Sequence, residues 1–518
     1  MNYDRLAECP QFTVVNEYVP ELEVGSGAHE SEAQLERKFI SILEGQGYEY
    51  LNTLTEESDL VANLRVQMEK LNHVALREGT FSDREWERFY REVLSNPRDH
   101  VVEKTAKFQE IRRFDFEFDD HRHANLMIFD AENVNNNRLQ VINQYEEHGG
   151  RHEVRYDVTV LVNGLPVVHV ELKRRGVALR EAFNQIKRYS RDGFWAGDAL
   201  FEWVQVFVIS NGTETKYYAN TTRDNHVREM NSRAVRSGRK TSNSFEFTSY
   251  WADARNRRIS DLTDFAKTFF AQQTLRNILA KFCVFTEERL LMVMRPYQIA
   301  ATERILERIR IASNGRRMLG TVDAGGYIWH STGSGKTLTS FKTAQLATKL
   351  DGVERVLFVV DRQDLDNQTQ REYNRFQRDC VKGTVDTGAL TAQLSDEMVT
   401  DGNGAPIQKS KIVITTIQKL SIFVKNNPPG SRHAGTFSQK VGSAGAGHPE
   451  KMLVFGRIGN RQFLKEVPVK LEVLLVVLRM DVGDLLQGGN QVNVFKLHGH
   501  HSNPMSCDLA LAGAFFSG

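Results

Sequence analysis

Residues 155–175 read RYDVTVLVNGLPVVHVELKRR. Two runs rich in β-branched residues flank Asn163-Gly164, the pattern of two strands joined by a tight turn. Alternation places Val158, Val160 and Val162 on one face of the first strand, and Val168, Val170 and Leu172 on one face of the second. All six positions are even-numbered, so burying them together requires facing partners whose numbers add to an even total. A three-residue loop at Asn163, Gly164 and Leu165 supplies it, with the glycine free to take a positive φ. Asp157 then faces Glu171, their Cβ atoms within about 5 Å. Lys173, two residues further along, shares that face.

Two carboxylates this close repel each other unless a cation joins them. A hard, oxygen-seeking ion such as Mg²⁺ suits the pair. It can activate water and stabilise charge on a phosphodiester, while Lys173 positions the nucleophile or the scissile phosphate. The competing expectation is a solvated outer face held by a salt bridge, since polar outer faces are the norm in antiparallel sheets.

Neighbouring residues add to the metal reading. Gln185 and Tyr189 are four apart in the helical stretch LREAFNQIKRYS and share a face, as do Glu32 and Glu36 in SEAQLERKFISIL. Asp157, the Glu171-Leu172-Lys173 tripeptide and the Gln185-x-x-x-Tyr189 pair resemble the PD-(D/E)xK nuclease superfamily in its RecB-like branch. Tyr156 stands where that family often carries proline. The resemblance implies catalytic roles for Asp157, Glu171, Lys173, Gln185 and Tyr189. It also implies a metal site of Asp157 and Glu171 completed by an upstream helical glutamate, Glu36 or Glu32; spacing alone does not choose between them.

Downstream, HSTGSGKT spans residues 330–337 between a strand-like GGYIW and a helix. Backbone amides from Gly333 through Ser334 and Gly335 to Lys336 can cradle phosphates. Lys336 reaches the β- and γ-phosphates of ATP, and the Thr337 hydroxyl ligates Mg²⁺. The following helix adds a positive N-terminus. His330 replaces the first glycine of the full pattern. Gln298 in RPYQ resembles the adenine-reading glutamine of superfamily 2 helicases, and VVDRQDLDNQ and TTIQKL resemble their motifs Ia and Ib. No Asp-Glu-x-His tetrapeptide follows TTIQKL. The apolar run LEVLLVVL at 471–478 has the length of a core strand rather than of a membrane helix.

The 518 residues are too many for one core, and the 40% hydrophobic and 26% charged fractions fit an ordinary soluble protein. A net charge of +1 makes any nucleic-acid surface local rather than global. One candidate for such a surface is 223–258, where Arg223, Arg228, Arg233, Arg236, Arg239, Lys240, Arg255, Arg257 and Arg258 interleave with Phe245, Tyr250 and Trp251. The reading preferred there is a solvated surface balanced by Glu229, Glu246, Asp253 and Asp261. Four well-separated cysteines, Cys9, Cys283, Cys380 and Cys507, suggest reduced thiols rather than a disulfide framework or metal site. Nothing in the N-terminal residues resembles a signal peptide, so a cytoplasmic protein without membrane contact is expected.

The fold class expected is α/β: a PD-(D/E)xK, restriction-endonuclease-like domain followed by a RecA-like parallel α/β P-loop domain of superfamily 2 helicase type. The expected organisation is an N-terminal extension at 1–30, the nuclease domain at 31–260, a helical linker at 261–293, an incomplete first RecA-like domain at 294–425, and an irregular tail at 426–518. A nuclease fused ahead of such a motor resembles the N-terminal portion of the restriction (R, HsdR) subunit of type I restriction–modification enzymes. VRYDVTVLVNGLPVVHVELKRRGVALREAFNQIKRY and WHSTGSGKT carry that resemblance. It implies Mg²⁺ and ATP as cofactors, and double-stranded DNA and the methylation (M) and specificity (S) subunits as partners. The tail resembles nothing in the family, so a truncated or frameshifted copy with an incomplete motor is expected. Two other readings remain open, a non-enzymatic DNA-binding or assembly remnant and a stand-alone P-loop ATPase.

Overall fold

The computed structural model describes residues 12–20, 30–54, 56–76, 79–147, 154–192, 200–231, 244–314, 326–331, 334–351, 353–360, 363–378, 380–383, 387–394, 410–426, 471–480 and 490–500. The chain divides into two compact units, Met1–Tyr297 and Gln298–Gly518. It is a mixed α/β protein, and each unit holds a six-stranded sheet with parallel and antiparallel pairs.

In the first unit, the sheet runs in space as it does in sequence: Glu49–Tyr50, Leu139–Glu147, Val154–Val162, Leu165–Leu172, Val206–Ser210 and Thr215–Ala219. The strand Leu165–Leu172 lies in the interior, antiparallel to Val154–Val162 and parallel to Val206–Ser210. Every residue of it is buried. Strands covered on both faces read as near-continuous apolar runs, and LPVVHVEL does so except at His169 and Glu171. The solvated outer face considered above is therefore not what forms. Thr159, His169 and Glu171 are all buried on the polar side of the hairpin.

The hairpin register differs from the expected one in its mechanism. Val158 pairs with Val170, Thr159 with His169 and Val160 with Val168, as the even-total rule requires. The connection, however, is a two-residue turn, Asn163-Gly164, with both residues at positive φ (53° and 82°). Such a turn matches the twist of the flanking strands. It pairs Val162 with Leu165 and Leu161 with Pro166, and the extra residue, Val167, is accommodated as a β-bulge. The bulge carbonyl accepts from Gln205 N at 2.9 Å. Pro166, which cannot donate to a ladder, sits beside the irregularity where it is tolerated. Asn163 is buried and ties the turn to Ile128 O and Asn137 Oδ1.

The helices Leu262–Phe269 and Gln272–Lys281, expected as a linker, pack into the first unit. Tyr48 donates to Phe270 O at 2.7 Å, Gln272 to Gln46 O at 3.0 Å, and Phe39 meets Phe270 edge to face. Part of the N-terminal extension joins them, with Ala254 N bonding to Val15 O and Thr274 to Thr13 O. Their apolar faces were legible, but the surface those faces cover comes from distant sequence.

The sheet of the second unit runs Gly326–Ser331, Asn490–His500, Leu471–Met480, Val353–Val360, Ile412–Thr416 and Val381–Gly383. Val353–Val360 and Ile412–Thr416 are parallel, as are Ile412–Thr416 and Val381–Gly383. The tail, expected to be irregular, contributes two of these strands. The apolar, β-branched run at 471–480 pairs antiparallel with both Val353–Val360 and Asn490–His500.

Candidate nuclease and phosphate-loop sites

Asp157 and Glu171 come together at the open end of the hairpin. The Asp157 carboxylate accepts from Leu172 N at 2.8 Å, which ties its side chain to the neighbouring strand. Glu171 is fully buried and receives Lys173 Nζ at 3.0 Å. The same ammonium donates to Leu172 O at 2.7 Å and lies 3.8 Å from Glu32. Lys173 N bonds to Ser210 O, so the parallel neighbour fixes the backbone beneath the ammonium.

The electrostatics follow from that crowding. Burial, then the charge of Glu171, pushes the Asp157 carboxyl from 3.8 up to about 7. The Leu172 amide and Lys173 pull the other way without prevailing. His169 lies on the same face, its Nδ1 3.3 Å from the Thr159 hydroxyl and its Nε2 3.6 Å from Glu171. Complete burial pushes His169 down to about 3, so it is a neutral imidazole near pH 7 rather than a countercharge. Arg223, also fully buried, lies over the Phe207 ring at 5.1 Å and is pushed down to about 10 by burial.

The two upstream glutamates separate. Glu32 is half-exposed and accepts from Arg174 N at 3.3 Å. Glu36 is buried and is held by the side-chain amides of Asn143 and Gln144, which belong to the strand paired with that of Asp157. Gln185 stands half-exposed on the helix Leu179–Asp192, and the side chain of Tyr189 lies outside the described residues. Among the described residues, no group of three His, Cys, Asp or Glu side chains converges closely enough to hold a metal ion by itself. Sequence reasoning missed His169, Asn143 and Gln144. Parity alone would have put His169 on the Asp157 face.

In the second unit, Gly335 caps the helix Lys336–Ala347 at φ 78°. Lys336 and Thr337 open its first turn. Gln298, buried, donates to Ser334 O at 3.1 Å and so packs on the loop itself. A Cβ at Gly335 would lie 2.4 Å from Gln298 Nε2. Gly333 lies outside the described residues.

Within the arginine-rich stretch, Trp251 is not available to stack on a base. Trp251 is fully buried between Tyr217 and Phe269. Phe245 packs on Phe183, and Arg257 pairs with Asp253 and Glu17. Arg255 also pairs with Glu17, and Arg228 with Asp224. Arg233, Arg236, Arg239 and Lys240 lie outside the described residues.

The sequence matches two family profiles. Residues 29–226 match the type I restriction enzyme R protein N terminus, and residues 291–437 match the type III restriction enzyme res subunit. The chain is 44% identical over 325 residues to the type I restriction enzyme EcoprrI endonuclease subunit of Escherichia coli, covering 96% of that protein and 63% of this one. The chain belongs to the type I restriction enzyme endonuclease subunits. A Staphylococcus aureus (strain COL) endonuclease subunit, SauCOLORF180P, is 33% identical over 407 residues, 78% of this chain but 38% of that protein. A Mycoplasma pneumoniae sequence described as the C-terminal part of a putative subunit, MpnIIP, is 47% identical over 174 residues. This restriction endonuclease subunit therefore joins an R-protein N-terminal region to a helicase-like res region. Among the described residues, no helix is long and apolar enough to cross a membrane.

Proposed function

We propose that this subunit is the DNA-cleaving, ATP-binding member of a type I restriction–modification complex. Its first unit is a PD-(D/E)xK nuclease and its second a RecA-like domain. The observation that carries this reading is the facing pair of half-buried Asp157 and buried Glu171, with Lys173 between Glu171 and Glu32. The donor set fits a hard divalent cation: two facing carboxylate side chains, one of them pushed up to about 7 by burial and then by the charge of the other. Asp157 and Glu171 would hold Mg²⁺, with Glu36 as the further carboxylate. Bound there, Mg²⁺ supplies an activated water and charge stabilisation at a phosphodiester.

The chain's own residues have distinct tasks. Leu172 N fixes the Asp157 carboxylate, leaving its second oxygen for the cation. Lys173, braced by Leu172 O, presents its ammonium to the scissile phosphate and stabilises the charge that develops on it. Neutral His169 adds bulk and a dipole beside Glu171 without cancelling its charge. In the second unit, Ser334, Gly335, Lys336 and Thr337 would receive the phosphates of ATP at the start of a helix, where backbone N–H groups point outward. Double-stranded DNA is the substrate, and methylation and specificity subunits are the partners that select it.

The test combines the purified chain with those partner subunits, plasmid DNA, Mg²⁺ and ATP, scoring nicking and phosphate release separately. Asp157→Ala, Glu171→Ala and Lys173→Ala should each abolish nicking and leave ATP binding unchanged. Nicking that survives all three substitutions would refute the site. DNA binding with no cleavage by the parent in any divalent metal would instead support an assembly role.

A further inference from the structure

Glu36 is held in an unusual way. Its two carboxylate oxygens are bound by the side-chain amides of two consecutive residues, Asn143 and Gln144. In a regular strand, consecutive side chains point to opposite faces, so one carboxylate cannot meet both. Here the strand is broken at Gln144, whose φ is 54°. A left-handed backbone is costly for a residue with a Cβ and clusters at functional sites. Pairing is regular on either side, with Asn143 opposite Val158 and Tyr145 opposite Tyr156. The residue skipped across from Gln144 is Asp157.

The clamp is closed at both ends. The Tyr50 hydroxyl donates to Asn143 Oδ1 at 2.8 Å, which orients that amide with its N–H₂ toward Glu36. Arg155 Nε donates to Gln144 Oε1 and orients the second amide in the same sense. Both immediate partners of Glu36 are neutral, and among the described residues no ion pair involves it. An amide fixes a carboxylate in place without neutralising it, which is the condition a ligand carboxylate needs.

We infer that Gln144 is a positioning residue: its left-handed kink turns the Asn143 and Gln144 amides onto one carboxylate and fixes the orientation of Glu36 as the further carboxylate of the proposed metal site. The inference rests on the nuclease reading above and selects Glu36, which is clamped, over half-exposed Glu32 as the further carboxylate. It also assigns supporting tasks to Tyr50 and Arg155 that their surface positions do not suggest.

Gln144→Gly separates positioning from folding, because glycine adopts φ 54° without strain while deleting the amide. Two readouts are taken on the full chain: Mn²⁺ binding without DNA, followed by electron paramagnetic resonance, and the Mg²⁺ concentration giving half-maximal nicking in the complete complex. Gln144→Gly should weaken Mn²⁺ binding about 10-fold or more, the range seen when residues supporting a metal ligand are removed. It should raise the Mg²⁺ half-saturation in parallel, with most of the rate recovered at high Mg²⁺ and a melting temperature equal to or above the parent's. Tyr50→Phe, which removes only the outer donor, should shift both readouts in the same direction by less. Unchanged Mn²⁺ binding in Gln144→Gly overturns the inference, as does a rate loss that Mg²⁺ does not restore. If Asp157→Ala still cleaves, the nuclease reading fails; if Asp157→Ala is inactive and Gln144→Gly titrates like the parent, only the positioning role fails.

Discussion

Replacing Asp157 by Asn should make the metal-free protein more stable while removing its nuclease activity. The Asp157 carboxyl is held at about 7 against an ordinary 3.8, chiefly by burial and then by Glu171. Ionising it in the folded state therefore costs about 4 kcal/mol more than in the unfolded chain, at about 1.4 kcal/mol per pH unit. The folded-state value is raised, so the folded protein binds the extra proton. The penalty is absent below pH 3.8, grows between 3.8 and about 7, and is complete above that. Asn keeps an oxygen for Leu172 N and carries no charge at any of these values. Relaxation around the site and the lost attraction to Lys173 reduce the gain, and about 2 kcal/mol should remain at pH 8. For a unit of this size that is a rise of roughly 3 °C in melting temperature. The assay is thermal unfolding of parent and variant in chelator at pH 5 and pH 8. The variant's advantage should be larger at pH 8. Mg²⁺ should then raise the parent's transition more than the variant's, because only the parent keeps both ligands. A variant that melts at or below the parent at pH 8, or whose advantage is the same at both pH values, would refute the assignment of a strained carboxylate pair.

Three further outcomes follow from local geometry. Gly164→Ala places a Cβ 2.7 Å from Leu64 Cα at a φ of 82°, so it should cost about 2–4 kcal/mol, read by urea unfolding of the full chain. Gly335→Ala strains φ 78° and drives into Gln298 Nε2; it should weaken binding of a fluorescent ATP analogue at least 10-fold and leave Mn²⁺ binding at the nuclease site unchanged. Lys104 and Glu202 form a buried pair at 2.6 Å, and burial raises Glu202 despite it. Lys104→Ala should cost about 3–5 kcal/mol, with Lys104→Met/Glu202→Gln losing far less by the same measurement.

The acidic face of the hairpin was legible because alternation survives in sequence. Six apolar positions of one parity fixed which carboxylates meet, and the paired Val158/Val170 and Val160/Val168 follow that rule. What escaped was what alternation cannot encode. A bulge leaves no mark except an awkward Pro166, and a left-handed Gln144 looks like any strand residue. Trp251 was left between two readings because aromatic residues among arginines suit a nucleic-acid surface and a protein interior equally, and only the packing of Tyr217 and Phe269 decides. The helices at 262–281 looked like a linker because their partners, near Phe39 and Tyr48, lie more than 200 residues away in the chain.

The bulge at Val167 bears on how this hairpin tolerates changes in length. An odd number of residues separates Asp157 from Glu171, whereas a two-residue turn with an unbroken ladder accepts only an even number. The surplus residue is discharged beside the turn, at the far end from the acidic pair. Deleting Val167 would leave every facing pair intact, at the cost of its buried side chain and the Gln205 contact. Single-residue gains and losses can thus be absorbed at one point, and the chemistry at the other end keeps its alignment.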